Sequence, residues 1–473
     1  MGRFKRILLI NPPNVRHVLA KFKTIPLGLL YLSSYLRQYN HSTVNVVDGS
    51  VEGKKAVIKR IKDFKPDLVG ISCLTISRHE SFRMAAIAKK VNSNCKIVLG
   101  GIHPTIMWQQ IMEHYPQIDY IVRGEGEITL SELVRGKKIS KINGLVWRRK
   151  NKKVVYNPDR ELITDLDKLP FPAWDMLNLR NYPPVNRSIA NRIDLSKEIR
   201  YSIIFSRGCM GRCTFCSSWR IWRGYRYRSA DNVMKEIELL VHRYNAKHIA
   251  FEDDTLTGNK AEIIKFCKGI IKRKIKVAIH CMTRVYCIDA RLLKWMKKAG
   301  FYGISYGIES GSPVMLIKMN KKTDLNMIIR ATKLTRQNKI KFETFMMYGM
   351  PGETVEDRAL SEILLREIRP DYISTMGEVL IFPGTALYEQ AKNAKLINDD
   401  YWLSNRPFYI YRGGIGNDPI NQLLKAQDFV NSLIYNTVLE KPATMFFTKI
   451  LRLQYKISLL RHFLKNQFIL NVI

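Results

Sequence analysis

The stretch Ser206 to Ser218, SRGCMGRCTFCSS, places Cys209, Cys213 and Cys216 within eight positions of a chain that has 8 cysteines in 473 residues. The spacing Cys-x3-Cys-x2-Cys lets one compact loop direct three thiolates at a single point. Thiolates are soft ligands that select zinc or iron–sulfur clusters. Three is an odd count for disulfides and one short of a closed tetrahedral site. A [4Fe–4S] cluster normally takes four cysteines, so three leave one iron open, as a catalytic metal keeps a free position. The competing reading is a structural Cys3His zinc site, although no histidine lies near the triplet in sequence. Cys73 and Cys95 belong to an earlier part of the chain, while Cys267, Cys281 and Cys287 fall at helix or strand positions.

The composition sets the frame for that loop. Hydrophobic residues make up 46% and charged residues 25%, the balance of a folded chain and not of a disordered one. The length predicts about two to four domains. Lys and Arg number 78 against 41 Asp and Glu, a formal charge of +37. That excess implies an anionic partner: nucleic acid, an anionic membrane surface or a polyanionic ligand. The plainer alternative is a solvated basic surface. The early apolar run ILLI is too short for a signal-peptide core and ends in Asn-Pro-Pro. No stretch approaches the ~18 apolar residues of a membrane span. The expectation is a cytoplasmic chain with reduced thiols, where clustered cysteines bind metal or catalyse.

Elements before the triplet alternate between two periods. Strands are expected at Ile7–Ile10, Val44–Val47, Leu68–Ser72, Ile97–Leu99 and Tyr120–Val122, with amphipathic stretches Leu29–Arg37, Lys54–Asp63 and Ser81–Val91 between them. This order predicts a doubly wound, Rossmann-like parallel sheet with helices on both faces. NPPN, DGSVEG, CLTIS, GGIHPT and RGEGE follow the strands, where such a sheet holds its ligand. No Gly-x-Gly-x-x-Gly opens the first helix, which argues against a dinucleotide. A basic stretch follows, with a hairpin expected around Lys150–Lys153, then a connector stiffened by Pro170 and Pro172. From Tyr201 a second alternation begins, with strands at Tyr201–Phe205, His248–Phe251, Val277–Met282, Gly303–Gly307, Lys341–Met347 and Tyr372–Leu380. Six such units suffice for a partial (βα)6 TIM-type barrel, whose chemistry lies at the strand C-termini. The triplet sits just past the first of them.

The triplet, with Phe215 before its last cysteine, is identified as the motif of the radical S-adenosylmethionine (SAM) family. AFEDDTLTGN, CMTRVYCI, GISYGIESGS, MMYGMPGET and FPGTALYE follow in the expected order. INPP, PLGLLYLSSYL, GGIHPT and GEGE resemble the cobalamin-binding domain that precedes the barrel in one branch of this family. The resemblance runs to about residue 400. It implies that Cys209, Cys213 and Cys216 hold a [4Fe–4S] cluster whose open iron is chelated by SAM. One-electron cleavage would then give a 5′-deoxyadenosyl radical that abstracts an unactivated hydrogen. Arg284 would meet the cosubstrate carboxylate, Glu309 and Asp253 its amine or ribose, Phe215 its adenine, and Ser310, beside Glu309, would also bind SAM. Each could instead be part of a structural ion pair or turn. Cobalamin would lie against Thr75, Ser77, Gly101, His103, Gly124 and Glu125. Ser50 in DGSVEG stands where a cobalt-ligating histidine of the Asp-x-His-x-x-Gly type would be, so that motif supplies no ligand. His103 is the nearest alternative, either on cobalt or as a loop histidine bonding the cofactor or backbone.

The expected organisation is a cobalamin domain at 1–136, a linker at 137–195, the barrel at 196–400 and a helical basic extension at 401–473. In that extension Phe446, Ile450, Leu453, Ile457, Leu460 and Leu464 form one apolar stripe edged by Lys449, Arg452, Lys456, Arg461 and Lys465. Such a stripe suits an anionic membrane interface, or docking on its own barrel. The resemblance implies methyl transfer or carbon–carbon bond formation, and the stripe points to an apolar metabolite or membrane lipid. A ferredoxin, flavodoxin or reductase would supply the electron. RNA or a peptide is the alternative substrate, and a metal- or cobalamin-binding sensor the non-enzymatic one.

Overall fold

The computed structural model describes residues 3–13, 23–40, 42–149, 151–182, 195 and 197–404. The basic-edged stripe of the extension lies outside the described residues. Strands β1 (Arg6–Asn11), β2 (Thr43–Asp48), β3 (Leu68–Ser72), β4 (Lys96–Gly100) and β5 (Tyr120–Val122) pair in parallel in the order 2-1-3-4-5. β6 (Leu145–Arg148) and β7 (Val154–Tyr156) add antiparallel beyond β5. The hairpin expected near Lys150–Lys153 therefore forms, and it extends the first sheet.

The run RILLIN makes β1 because a central parallel strand is buried on both faces. Ile7 and Leu9 enter one core with the helices Leu27–Asn40 and Glu127–Arg135, while Leu8 and Ile10 enter the other with Gly49–Phe64 and Arg78–Val91. The strand order reverses between β1 and β3, which is where such sheets open a ligand crevice.

The second sheet begins with β8 (Arg200–Ile203), followed by the two-residue strands β9 (Ser206–Arg207) and β10 (Arg226–Tyr227), which pair with each other. It continues with β11 (His248–Phe251), β12 (Ala278–Thr283), β13 (Phe301–Glu309), β14 (Lys341–Tyr348) and β15 (Tyr372–Glu378). These six units run in parallel in chain order, β8-β11-β12-β13-β14-β15, as a partial (βα)6 barrel requires. Helices after the strands start on side-chain caps; Ser229, Asn259, Asp289, Asp324 and Thr354 each accept a backbone N–H of the first turn.

The two sheets are joined by shared cores. Met315, Met319, Met347, Leu387 and Trp402 pack into the first sheet's core, and Trp174 and Tyr182 of the connector pack into the barrel's. Arg78 donates from Nε to the Trp402 carbonyl at 2.9 Å with its guanidinium over the indole. Tyr182 donates to Asp48 at 2.6 Å, tying the connector to the end of β2.

Gly101, after β4, has φ +109°, and a Cβ there would stand 2.8 Å from the Cys73 carbonyl oxygen. Only glycine lets the β3 and β4 loops approach this closely at the crevice. Gly101→Ala should therefore destabilise the fold by about 1–3 kcal/mol, measured as a lower midpoint of thermal unfolding followed by far-UV circular dichroism.

Candidate active site at the facing strand ends

A crevice of about 1070 Å³ lies between the C-terminal ends of the two sheets. Asn11, Ser72, Gly101 and Gly124 line it from the first sheet, and Ser206, Arg207, Gly208 and Asp254 from the second. Cβ atoms added at Gly100 or Gly124 would meet nothing within 4 Å, so the glycine rim leaves open space for a ligand against backbone. The volume exceeds the roughly 300–1,000 Å³ that holds a drug-sized ligand, as a macrocyclic cofactor demands.

The three cysteines occupy the loop that follows β9. All are unbridged thiols; Cys213 is buried and the other two are partly so. Backbone N–H groups aim at two of the sulfurs, Gly211 at Cys209 (3.3 Å) and Ser218 at Cys216 (3.4 Å). The Thr214 N–H donates to the Met319 carbonyl and the Asn320 side chain to that of Arg212, so the turn beyond β13 fixes the loop. Arg284, just past β12, lies 3.6 Å from the Cys213 sulfur and 3.9 Å from that of Cys209, and it donates to the Lys321 carbonyl. A guanidinium there takes the place a cation occupies against thiolates. A Cβ on Gly211 would fall 2.3 Å from Arg284 Nη1, so that glycine makes room for it. Among the described residues no three His, Cys, Asp or Glu groups already stand together as a metal cage. Burial pushes the Cys216 thiol up to about 11, eased by the Ser218 N–H; a bound cation is what would hold it as thiolate.

Glu309 ends β13 in the left-handed region, φ 71°. Its Oε1 accepts from Lys321 Nζ at 2.8 Å, both groups are buried, and its Oε2 has no hydrogen-bond partner. Lys321 also stands 5.8 Å from the Phe215 ring centre. Strain and an orphaned carboxylate oxygen at a strand C-terminus mark a place for a ligand's donor. Ser310 behind it shapes the turn, accepting from the Ser312 N–H at 3.1 Å and facing Ser361. Asp253 is fully committed to the protein: it accepts from the Phe205 N–H at 3.1 Å and from the N–H and hydroxyl of Ser206. It holds the turn between β8 and β9, upstream of the cysteines.

The first-domain residues divide in the same way. Ser77, Gly101 and Gly124 line the crevice, whereas Thr75 and His103 sit behind it and face each other at 3.3 Å. His103 is fully buried, and burial lowers its pKa to about 3. The histidine on the crevice wall is His79, whose Nε2 has no partner and whose pKa burial and Arg78 lower to about 4. Ser50 also lines the crevice, donating to Asp48 at 2.6 Å. Glu125 also lines the crevice, with its carboxylate taken up by the protein. Its carboxylate takes Arg207 at 2.8 Å, Arg226 at 3.0 Å and the Ile163 N–H at 2.7 Å. Arg207, His79 and Lys321 escaped the sequence reading of the site: the carboxylates that take Arg207 lie far away along the chain, and His79 and Lys321 stand in no motif of their own.

A crevice at the switch point of one parallel sheet, faced by a three-thiol loop on another, defines a two-domain α/β enzyme working between two sheet edges. Residues 15–134 match the B12 binding domain and residues 203–362 the Radical SAM superfamily. An uncharacterized methyltransferase of Pyrococcus horikoshii is 32% identical over 409 residues, 84% of this chain and 85% of its own length. The anaerobic magnesium-protoporphyrin IX monomethyl ester cyclase of Rubrivivax gelatinosus is 33% identical over 73% of this chain, which spans 62% of that protein. The radical S-adenosylmethionine methyltransferase TsrM of Kitasatospora setae, solved with cobalamin and a [4Fe–4S] cluster, shares the fold with a TM-score of 0.67 at 20% identity, covering 82% of this chain and 75% of its own. The chain belongs to the radical SAM enzymes that carry a B12 binding domain.

The Asp253 carboxyl yields a pH prediction. Burial raises its pKa to about 7 against the hydrogen bonds that lower it. An unfolded aspartate titrates near about 3.9, so folding favours the protonated form. That contribution is fully present below about pH 3.9 and is lost as pH rises through about 7, an effect on the order of a few kcal/mol. Asp253→Asn should flatten the fall in Tm between about pH 5 and about pH 8, measured by scanning calorimetry on both proteins.

Proposed function

We propose that the chain is a cobalamin-dependent radical SAM enzyme that functionalises an unactivated carbon of an apolar substrate, a small metabolite or a lipid. The observation that carries it is the crevice itself: a glycine-rimmed space of about 1070 Å³ whose wall includes Gly208, directly before Cys209, and Trp222, at the far end of the segment that bears the three free thiols. When bound, the cluster would supply one-electron reduction of SAM, and cobalamin would carry the group to be transferred.

The residues divide the remaining work. Cys209, Cys213 and Cys216 would hold a [4Fe–4S] cluster. Arg284 lies against the Cys213 and Cys209 sulfurs through Nη1, and its unpartnered Nε would be the group left for the cosubstrate carboxylate. Glu309, whose Oε1 accepts from Lys321, would turn its unpartnered Oε2 to the amine or a ribose hydroxyl. Phe215 offers an aromatic face, while Asp253 and Ser310 keep the turns in place. Ser77, Gly101 and Gly124 form the cobalamin wall with His79 as a neutral imidazole, and Thr75 and His103 support that wall from behind. Leu74, Ile76, Ile102, Ile204 and Trp222 give the crevice apolar walls, which exclude water from a radical and suit an apolar substrate. A low-potential ferredoxin or flavodoxin would supply the electron. No helix among the described residues is long and apolar enough to cross a membrane; the basic-edged stripe of residues 441–473 would rest on an anionic membrane surface from the cytoplasmic side.

Anaerobically reconstituted protein should carry about four irons and four sulfides per chain and show a cobalamin absorption spectrum. Cys213→Ala should lose most of the iron but keep the cobalamin. Fewer than about three irons in the wild type, or no loss in the variant, would sink the cluster assignment. Arg284→Lys should weaken SAM binding roughly 10–100-fold, the loss of a charge-assisted pair, measured by equilibrium dialysis. Lipid profiling of a deletion strain tests the substrate class; an unchanged lipidome with altered tRNA nucleosides would favour RNA.

A further inference from the structure

We propose that Glu125, Glu127, Arg207 and Arg226 are positioning residues that hold the cysteine loop in register with the rim of the crevice. The proposal rests on the cofactor reading above. Arg207 directly precedes Gly208 and Cys209, and its guanidinium reaches the loop beyond β5, giving Nη1 to Glu125 at 2.8 Å and Nη2 to Glu127 at 2.6 Å. Arg226, paired with Arg207 across β9 and β10, donates to both Glu125 oxygens at 3.0 and 3.1 Å. Glu127 opens the helix Glu127–Arg135, where the dipole favours its charge.

Both ends of the cysteine segment converge on one group. The Arg207 guanidinium stands 5.4 Å from the Tyr31 ring centre and 5.7 Å from that of Trp222. Tyr31 belongs to the first domain, and Trp222 closes the short helix that follows Cys216. All three cysteines thus lie on a span whose first residue is the guanidinium's own and whose last residue packs on its face. Stability alone accounts poorly for the arrangement. Arg226 leaves Nε and Nη2 unpartnered inside the protein, and buried ion clusters are often matched in stability by apolar packing. What the Arg207 fork, split between two carboxylates, adds is a fixed direction. Arg207, Glu125 and Glu127 are also crevice wall, so the group that sets the loop touches the space where the second cofactor would lie.

The test compares full-length wild type with Glu125→Gln and the charge-balanced pair Glu125→Gln/Arg226→Gln. Hydrogen exchange on the metal-free proteins should speed up at least tenfold across Ser206–Ser218 in both variants, while β1 to β5 and β11 to β15 keep their protection. The pair should recover most of the Tm lost by Glu125→Gln. After reconstitution, pulsed EPR should show a changed dipolar coupling between the reduced cluster and cob(II)alamin in the pair. Normal uptake of iron and cobalamin with unchanged exchange and coupling would overturn the clamp alone. A wild type that takes up neither iron nor cobalamin would overturn the cofactor reading and the proposal with it.

Discussion

A parallel sheet gathers all its strand C-termini along one edge, and this chain sets two such edges face to face. The loops after β1, β3, β4 and β5 meet those after β8, β9 and β11 around one crevice. Every other feature of the site follows from that constraint. Strand C-termini are followed by loops and helix starts, so the crevice wall is rich in backbone N–H groups and glycine. On the opposing edge, Ser206, Arg207 and Gly208 lead from the wall straight into the cysteine loop.

Facing edges must be held together without filling the space between them, and the two sides of the crevice do this differently. Behind the cysteine loop, where Met319 and Leu387 exchange backbone hydrogen bonds with Thr214, the joint is apolar: Met315, Met319, Met347, Leu387 and Trp402 enter the first sheet's core. At the loop's entry, just before Cys209, it is ionic, through Arg207 and Glu125. Apolar packing is non-directional and tolerates sliding, while a forked guanidinium on two carboxylates does not. The directional contact thus lies where misplacement by an ångström would matter to chemistry. The chain's large positive charge plays little part here, because the buried cluster is balanced at two arginines and two glutamates.

The strands and the cysteine loop were legible in the sequence because they depend on local pattern. Leu68–Ser72 and Tyr120–Val122 are strands with the bounds their apolar runs predict, and all six barrel strands stand where period and breakers place them. The hairpin was legible too, but not its attachment to β5, since sheet pairing across a turn leaves no periodic trace. Side-chain partners were the part that local pattern hides. Glu125 carries the same signal as any residue of a Gly-rich loop, and nothing nearby shows that Arg207, 82 positions on, takes its carboxylate. His103 and Thr75 sit in the right segments but behind the wall: Thr75 is in the turn beyond β3 and His103 in the short helix beyond β4, where no strand alternation tells which side chain faces the crevice. His79, four residues after Thr75, is the one that lines the crevice.

The same physics confines metal chemistry to one loop. Cys73, Cys267, Cys281 and Cys287 are buried among apolar side chains, and burial raises each thiol, Cys73 to about 12 and Cys287 to about 11. At neutral pH these remain thiols, which neither bind a soft metal well nor attack. Cys216 is raised by burial as well, yet it differs in what surrounds it: a backbone N–H on its sulfur, and Cys209 and Cys213 close by with Arg284 against them. Burial raises the Cys216 thiol and the neighbouring Cys213 and Cys209 add to that, so its ionisation calls for positive charge beside it. One guanidinium meets part of that need, and an iron–sulfur core carrying several cationic irons would meet the rest. The segment between Arg207 and Trp222 is thus the place in the described chain where losing three protons and binding a soft metal become a single favourable event.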